Sequence, residues 1–272
     1  MAVTMADIQH LRSMTGAGMM DCKKALTDAN GDMEKAIEEI RKRGKAIAAK
    51  RSDREASEGC VLAAAKNGFA AIVALKCETD FVAKNADFVA LTQQILDKAM
   101  ESQVANIDEL SAQIIDGRTV AELITERSGV TGEKMELGFY EFVKDAMAVE
   151  YIHPGNKLAS IVAFAESGAD YQVARDIAMQ IAAMSPIALD RASVPADIVE
   201  KELEIGREKA REEGKPENIL DKIAQGRLNK FYQEVTLMEQ AFIKDAKLTV
   251  GEYTKANKAT PTAFKRITLN EE

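Results

Sequence analysis

A hairpin is written into the chain at Asn67-Gly68. The pair stands between two apolar runs, Cys60-Val-Leu-Ala-Ala-Ala65 and Phe69-Ala-Ala-Ile-Val-Ala-Leu75. Asn and Gly accept the positive φ angles of a tight two-residue turn, so the pattern predicts two antiparallel strands. With the pair as the turn, Cys60, Leu62, Phe69, Val73, Leu75 and Cys77 share one face. Thr79-Asp80-Phe81 ends the second strand. A helix then runs from about Asn85, with Phe88, Leu91, Ile95 and Ala99 as its apolar stripe. Two further helical patterns occupy residues 108–115 and 119–128.

A similar block follows. Strand-like segments lie near 135–143, 146–153 and 158–165, with Pro154-Gly155-Asn156 as a turn, and a helix carries Ala174, Ile177, Ala178 and Ile181. Ala71-Ile-Val-Ala-Leu75 resembles Ser160-Ile-Val-Ala-Phe164, and Asp80-Phe81 resembles Asp170-Tyr171, at an offset of 89 to 90 residues. The core reads as a duplicated strand-pair-plus-helix unit in an α+β fold.

The flanks differ from this core. Residues 4–51 read as three short helices. Thr4 and Asp7 fit a capping box, Thr15-Gly-Ala-Gly18 is a turn, and Asn30-Gly31-Asp32 breaks and recaps the chain. From Asp197 to Glu213, 11 of 17 residues are charged, with Val199 and Leu203 on a narrow seam; after Gly214-Lys-Pro216, Ile219, Leu220, Ile223 and Leu228 form a second stripe. Two charged helices joined by a tight turn make an antiparallel hairpin, and so thin a seam predicts that it projects from the body. Thr249 opens another capped helix, and Ala263–Leu269 reads as a last strand.

Net charge is −8, unevenly spread. Residues 1–54 carry 11 Lys and Arg against 8 Asp and Glu, leaving −11 on the remainder. An acidic body with no Trp and 5% aromatics lacks the basic surface and stacking platforms of a nucleic-acid binder. The segment Met1–Asp7 has no secretory-signal pattern and no run of about 18 apolar residues occurs, so a cytoplasmic chain without a membrane span is expected. Cys22, Cys60 and Cys77 are odd in number and show no CxxC spacing; buried free thiols are expected, and no metal or cofactor is called for. Phosphate-loop, dinucleotide and hydrolase motifs are missing, and no carboxylate pair stands out for acid–base work. Asp80 and Phe81 are unusual: a carboxylate beside a large apolar side chain between a strand and a capped helix. Phe81 either packs in the core or is presented to a partner.

Three stretches resemble the elongation factor Ts family. They are Thr15-Gly-Ala-Gly-Met-Met-Asp-Cys-Lys-Lys-Ala-Leu26 followed by Asn30-Gly-Asp32, then Thr79-Asp-Phe-Val-Ala-Lys-Asn85, and Gly214-Lys-Pro216 with Gly226-Arg-Leu-Asn-Lys-Phe231. The resemblance covers essentially the whole chain. It implies a three-helix module like ubiquitin-associated domains over 1–54 and a two-part core with antiparallel strands, its subdomains at 55–139 and 140–194. A protruding helical hairpin over 195–232 and the remainder over 233–272 complete the chain. It further implies guanine-nucleotide exchange on the GTPase EF-Tu without covalent chemistry, without a cofactor and without nucleotide binding by this chain. Met19, Met20 and Lys23 match the region that grips the GTP-binding domain. Asp80 and Phe81, flanked by Thr79 and Val82, match the residues that wedge near the nucleotide's Mg²⁺. His153 aligns with a histidine that presses on a nearby helix, and Val235 falls in a segment reaching another EF-Tu domain. Dimerisation varies within the family, so a homodimer or a heterotetramer with EF-Tu stays open, as does an adaptor that binds without exchange.

Overall fold

In the computed structural model, which describes residues 3–270, the first three helices are α1 (Met5–Thr15), α2 (Met19–Asp28) and α3 (Met33–Lys50). Their boundaries follow from side-chain chemistry. Thr4 and Asp7 form the capping box of α1, Gly16 ends it at φ 68°, and Asp32 caps α3 by accepting from Lys35 N–H at 3.1 Å. Ile8, Leu11, Cys22, Ala25, Leu26 and Ala36 form a small core among the three.

The expected hairpin is β1 (Glu58–Lys66) and β2 (Phe69–Cys77). Asn67 and Gly68 both take positive φ, 53° and 74°, as a primed turn requires. Every residue of β2 except Lys76 is buried, so both faces of this strand are covered. The chain continues through α4 (Asp80–Ala83), α5 (Ala86–Ser102), α6 (Ile107–Ser111), the short pair β3 (Ile114–Ile115) and β4 (Arg118–Thr119), α7 (Val120–Thr131) and β5 (Met135–Lys144). The sheet order is β1-β2-β5. Two expectations are corrected. The strand stops at Cys77, because Thr79 caps a helical turn that takes in Asp80 and Phe81. The helix sought over 108–115 ends at Ser111, and its last residues form β3.

The remaining elements are β6 (Met147–Ile152), β7 (Leu158–Phe164), α8 (Tyr171–Met184), α9 (Ala196–Glu212), α10 (Leu220–Val235), β8 (Ala241–Phe242), β9 (Asp245–Thr249), α11 (Val250–Ala256) and β10 (Pro261–Thr268). The second sheet has the order β10-β7-β6, antiparallel throughout, with Met147 and Pro261 both opposite Phe164. Its central strand β7 is buried at every position, and α8 lays Ala174, Ile177, Ala178 and Ile181 into the core with Val162 and Phe164. Helix and strand content with small antiparallel sheets makes the fold α+β, as expected.

The chain divides into two compact units. Among the described residues, one holds 3–62, 73–141 and 269–270; the other holds 63–72 and 142–268. Within the first, α3 meets α7 at two glycines: a Cβ built on Gly129 would sit 2.1 Å from Gly44 Cα. Arg41 and Arg118 both pair with Glu126 beside that contact, at 3.1 and 2.5 Å. Within the second, α9 and α10 pack along a seam of small residues, with Gly206 facing Ala224 and with Ala210, Leu220 and Leu228 buried. Val199, Leu203 and Ile223 are only half-buried, and Ile219 is exposed. Ion pairs Arg207–Asp221, Arg211–Glu217 and Arg227–Glu213 flank the seam. Among the described residues no helix is long and apolar enough to cross a membrane.

Candidate functional site

The turn after β2 is built to hold one side chain outward. Cys77 is buried, and its thiol donates to the Thr79 carbonyl at 3.2 Å. Thr79 Oγ1 accepts from Val82 N–H at 3.4 Å and starts α4; Asn85 then caps α5 by accepting from Asp87 N–H at 2.9 Å. A four-residue helix has little inward surface. Ala83 is its buried position, and the core aromatic of this region is Phe88, 1% exposed, on α5. Phe81 is left 83% exposed. The core alternative for this residue is thereby overturned. Asp80 pairs with Lys84 at 2.7 Å, one helical turn on.

The turn is tied to the loop between α7 and β5. Thr79 donates from its backbone N–H and its hydroxyl to the Glu133 carboxylate, at 3.1 and 2.6 Å. Glu78 accepts from Lys134 N–H at 2.6 Å and from the Arg51 guanidinium at 3.1 Å. These partners lie 27 to 56 residues from the turn in sequence, and no local pattern marks them.

The other expected residues lie on separate elements. On α2, Met19 packs against the three-helix core, Met20 is 76% exposed, and Lys23 is exposed one turn further on. Val82 is half-buried. His153 is exposed at the end of β6, where its Nδ1 lies 3.0 Å from the Tyr151 hydroxyl. The following turn closes through His153 N–H to the Leu158 carbonyl at 2.8 Å, with Gly155 and Asn156 at φ 94° and 55°. Val235 is the last residue of α10 and not a residue beyond the hairpin; it is half-buried, and its carbonyl accepts from Ile187 N–H at 2.9 Å.

Cys22, Cys60 and Cys77 are buried free thiols. Burial pushes the Cys77 thiol up to about 12, reinforced by the charge of Glu133. A crevice in the first unit, with room for about 90 Å³, is lined by Ile37, Ile40, Ile47 and Val130 and by Asp21 and Glu126. Both acids are already held by guanidinium groups, Arg43 on Asp21 at 2.8 Å and Arg41 and Arg118 on Glu126.

Phe81 thus stands exposed on a turn held by its own cap and by Glu133. The family described as Elongation factor TS matches residues 78–271. The chain is 62% identical to Elongation factor Ts of Porphyromonas gingivalis over 273 residues, covering 99% of each. It is 57% identical to that of Azobacteroides pseudotrichonymphae over the whole of both, and 54% identical to that of Amoebophilus asiaticus over 93% of each. The chain belongs to the elongation factor Ts family of translation elongation factors.

Proposed function

We propose that this chain is a guanine-nucleotide exchange factor for EF-Tu, acting in the cytoplasm. It binds no nucleotide itself and speeds GDP release by disturbing the GTPase's Mg²⁺ and phosphate site. The observation that carries the reading is Phe81, 83% exposed on a turn fixed by its own cap and by Glu133. Inserted between helices of the GTPase, it displaces groups that position Mg²⁺, and the diphosphate loses its counter-charge. Met19, Met20 and Lys23 on α2 engage the GTP-binding domain, Thr79, Asp80 and Val82 frame the wedge, and His153 and Val235 supply contacts from the second unit.

The energetics are those of two coupled sites. A partner that prefers the nucleotide-free GTPase weakens GDP binding by the same factor by which GDP weakens its own. A thousandfold faster release corresponds to about 4 kcal/mol of barrier lowering. One buried aromatic anchor supplies about 2–4 kcal/mol, so several contacts share the work. The test is stopped-flow release of labelled GDP from EF-Tu with Phe81→Ala. Because the ring is exposed here, the variant is expected to unfold like its parent and to lose most of the stimulation. A normal release rate would refute the wedge. Tight binding with no acceleration by the unaltered chain would make it an adaptor.

A further inference from the structure

Two loops of the first unit grip each other reciprocally. Glu78, the residue before the cap, reaches across to the Lys134 N–H at 2.6 Å; Glu133 reaches back to the Thr79 N–H and hydroxyl at 3.1 and 2.6 Å. The Thr79 hydroxyl is a relay: it donates to Glu133 and accepts from Val82 N–H, so the carboxylate orients the oxygen that starts α4. Glu133 is itself held, its carbonyl accepting from Ser128 Oγ at 2.5 Å and its N–H donating to Thr131 Oγ1 at 3.3 Å. Arg51, at the end of α3, closes the far side on Glu78, whose side chain is only 17% exposed. Hydrogen bonds to charged groups in partly desolvated sites are the stronger class, and here they converge on two consecutive residues.

We infer that Glu133 and Glu78 are positioning residues for Phe81, and that through Arg51 the three N-terminal helices are coupled to the pose of the wedge. This rests on the exchange reading above. A wedge acts only if its pose precedes contact; a turn free to swing would have to be ordered against the partner at the expense of the work it does there. The clamp removes that loss without touching the partner.

The full chain contains no tryptophan, so Phe81→Trp places a single tryptophan on the turn, excited selectively apart from the five tyrosines. Adding Glu133→Ala is expected to lower its anisotropy in the free protein. In exchange assays with phenylalanine at 81, Glu133→Ala is expected to cut the saturating GDP-release rate about tenfold, with a smaller change in the half-saturating concentration. Glu133→Gln keeps one carbonyl acceptor and is expected to recover part of that loss. In a Phe81→Ala background, Glu133→Ala is expected to add nothing, since it acts through the ring. Unchanged anisotropy, a loss confined to affinity, or full additivity with Phe81→Ala would overturn the clamp while leaving the wedge intact. If Phe81→Ala alone exchanges normally, the wedge itself is wrong and the positioning role falls with it.

Discussion

Gly44 and Gly129 face each other between α3 and α7, yet alanine is expected to act oppositely at the two positions. A Cβ built on Gly44 meets Gly129 Cα at 3.5 Å, ordinary contact; one built on Gly129 meets Gly44 Cα at 2.1 Å and its carbonyl carbon at 3.0 Å. Both sites are helical, where replacing glycine by alanine is worth up to about 1 kcal/mol. Gly44→Ala keeps that gain. Gly129→Ala must open the contact by about 1.4 Å to reach normal carbon–carbon spacing. The obstacle is backbone and cannot rotate aside, so an overpacking cost of about 3 kcal/mol, the upper part of the usual range, applies and leaves a net loss of about 2 kcal/mol. For a chain of this size that lowers Tm by roughly 4–8 °C, at about 2–4 °C per kcal/mol. Two units need not unfold together, so circular dichroism melts are best paired with amide exchange resolved to α3 and α7. Protection in both helices is expected to fall in Gly129→Ala and to hold or rise in Gly44→Ala. Equal effects at the two sites, or a Gly129→Ala protein as stable as its parent, would refute the geometry.

Three other outcomes are expected. Asp176 is buried and accepts from Lys244 at 2.6 Å, Gln172 at 2.7 Å and Tyr253 at 3.2 Å; Asp176→Ala should cost about 1–3 kcal/mol in urea titration, with Asp176→Asn costing less. Burial pushes both the Cys77 thiol and the Tyr140 hydroxyl up to about 12 from ordinary values of 9.0 and 10.0, so the fold holds protons that the unfolded chain gives up sooner. Stability from these two groups is complete below pH 9 and lost as pH rises toward 12, and an unfolding midpoint flat across that window would contradict it. Replacing residues 196–228 by a short linker removes most of α9–α10 but keeps Asn229 and Tyr232, which hold Arg191 by a 2.9 Å hydrogen bond and a ring contact at 4.8 Å; the rest should melt within a few degrees of the parent, and loss of cooperative unfolding would place the hairpin in the core.

What could be read in the sequence was decided by neighbours along the chain. The turn at Asn67-Gly68 depends on two residues' own φ preferences, and the caps at Thr4, Asn85 and Thr249 on hydroxyls and an amide within three positions. The two similar segments, Ala71–Leu75 and Ser160–Phe164, lie in β2 and β7, each the middle strand of a three-stranded sheet. The misplaced strand end has the same origin, read wrongly: apolar residues near Phe81 favour a strand, but the Thr79 hydroxyl offers the backbone a helical start and wins. In the helical hairpin the larger side chains drew the seam, while Gly206 and Ala224 make a close approach between the helices. Small residues give no hydrophobic signal, so the α3–α7 contact through Gly44 and Gly129 was invisible for the same reason.

The candidate site separates along the same line. Its residue types were legible because Asp80 and Phe81 sit inside a specific local motif, but whether Phe81 faced the core or the solvent was not. That choice depends on how many inward positions the turn offers. α4 is four residues long, its inward place is taken by Ala83, and the buried aromatic that follows is Phe88 on α5. Leaving an aromatic ring in water forgoes about 1.5–3 kcal/mol of burial. The fold forgoes this at one position while fixing that position with Glu78 beside the cap and with Glu133 and Arg51 from distant parts of the sequence. Single exposed apolar side chains are common on protein surfaces and need no explanation, so it is the fixed pose of the ring, and not its exposure, on which the proposed wedge rests.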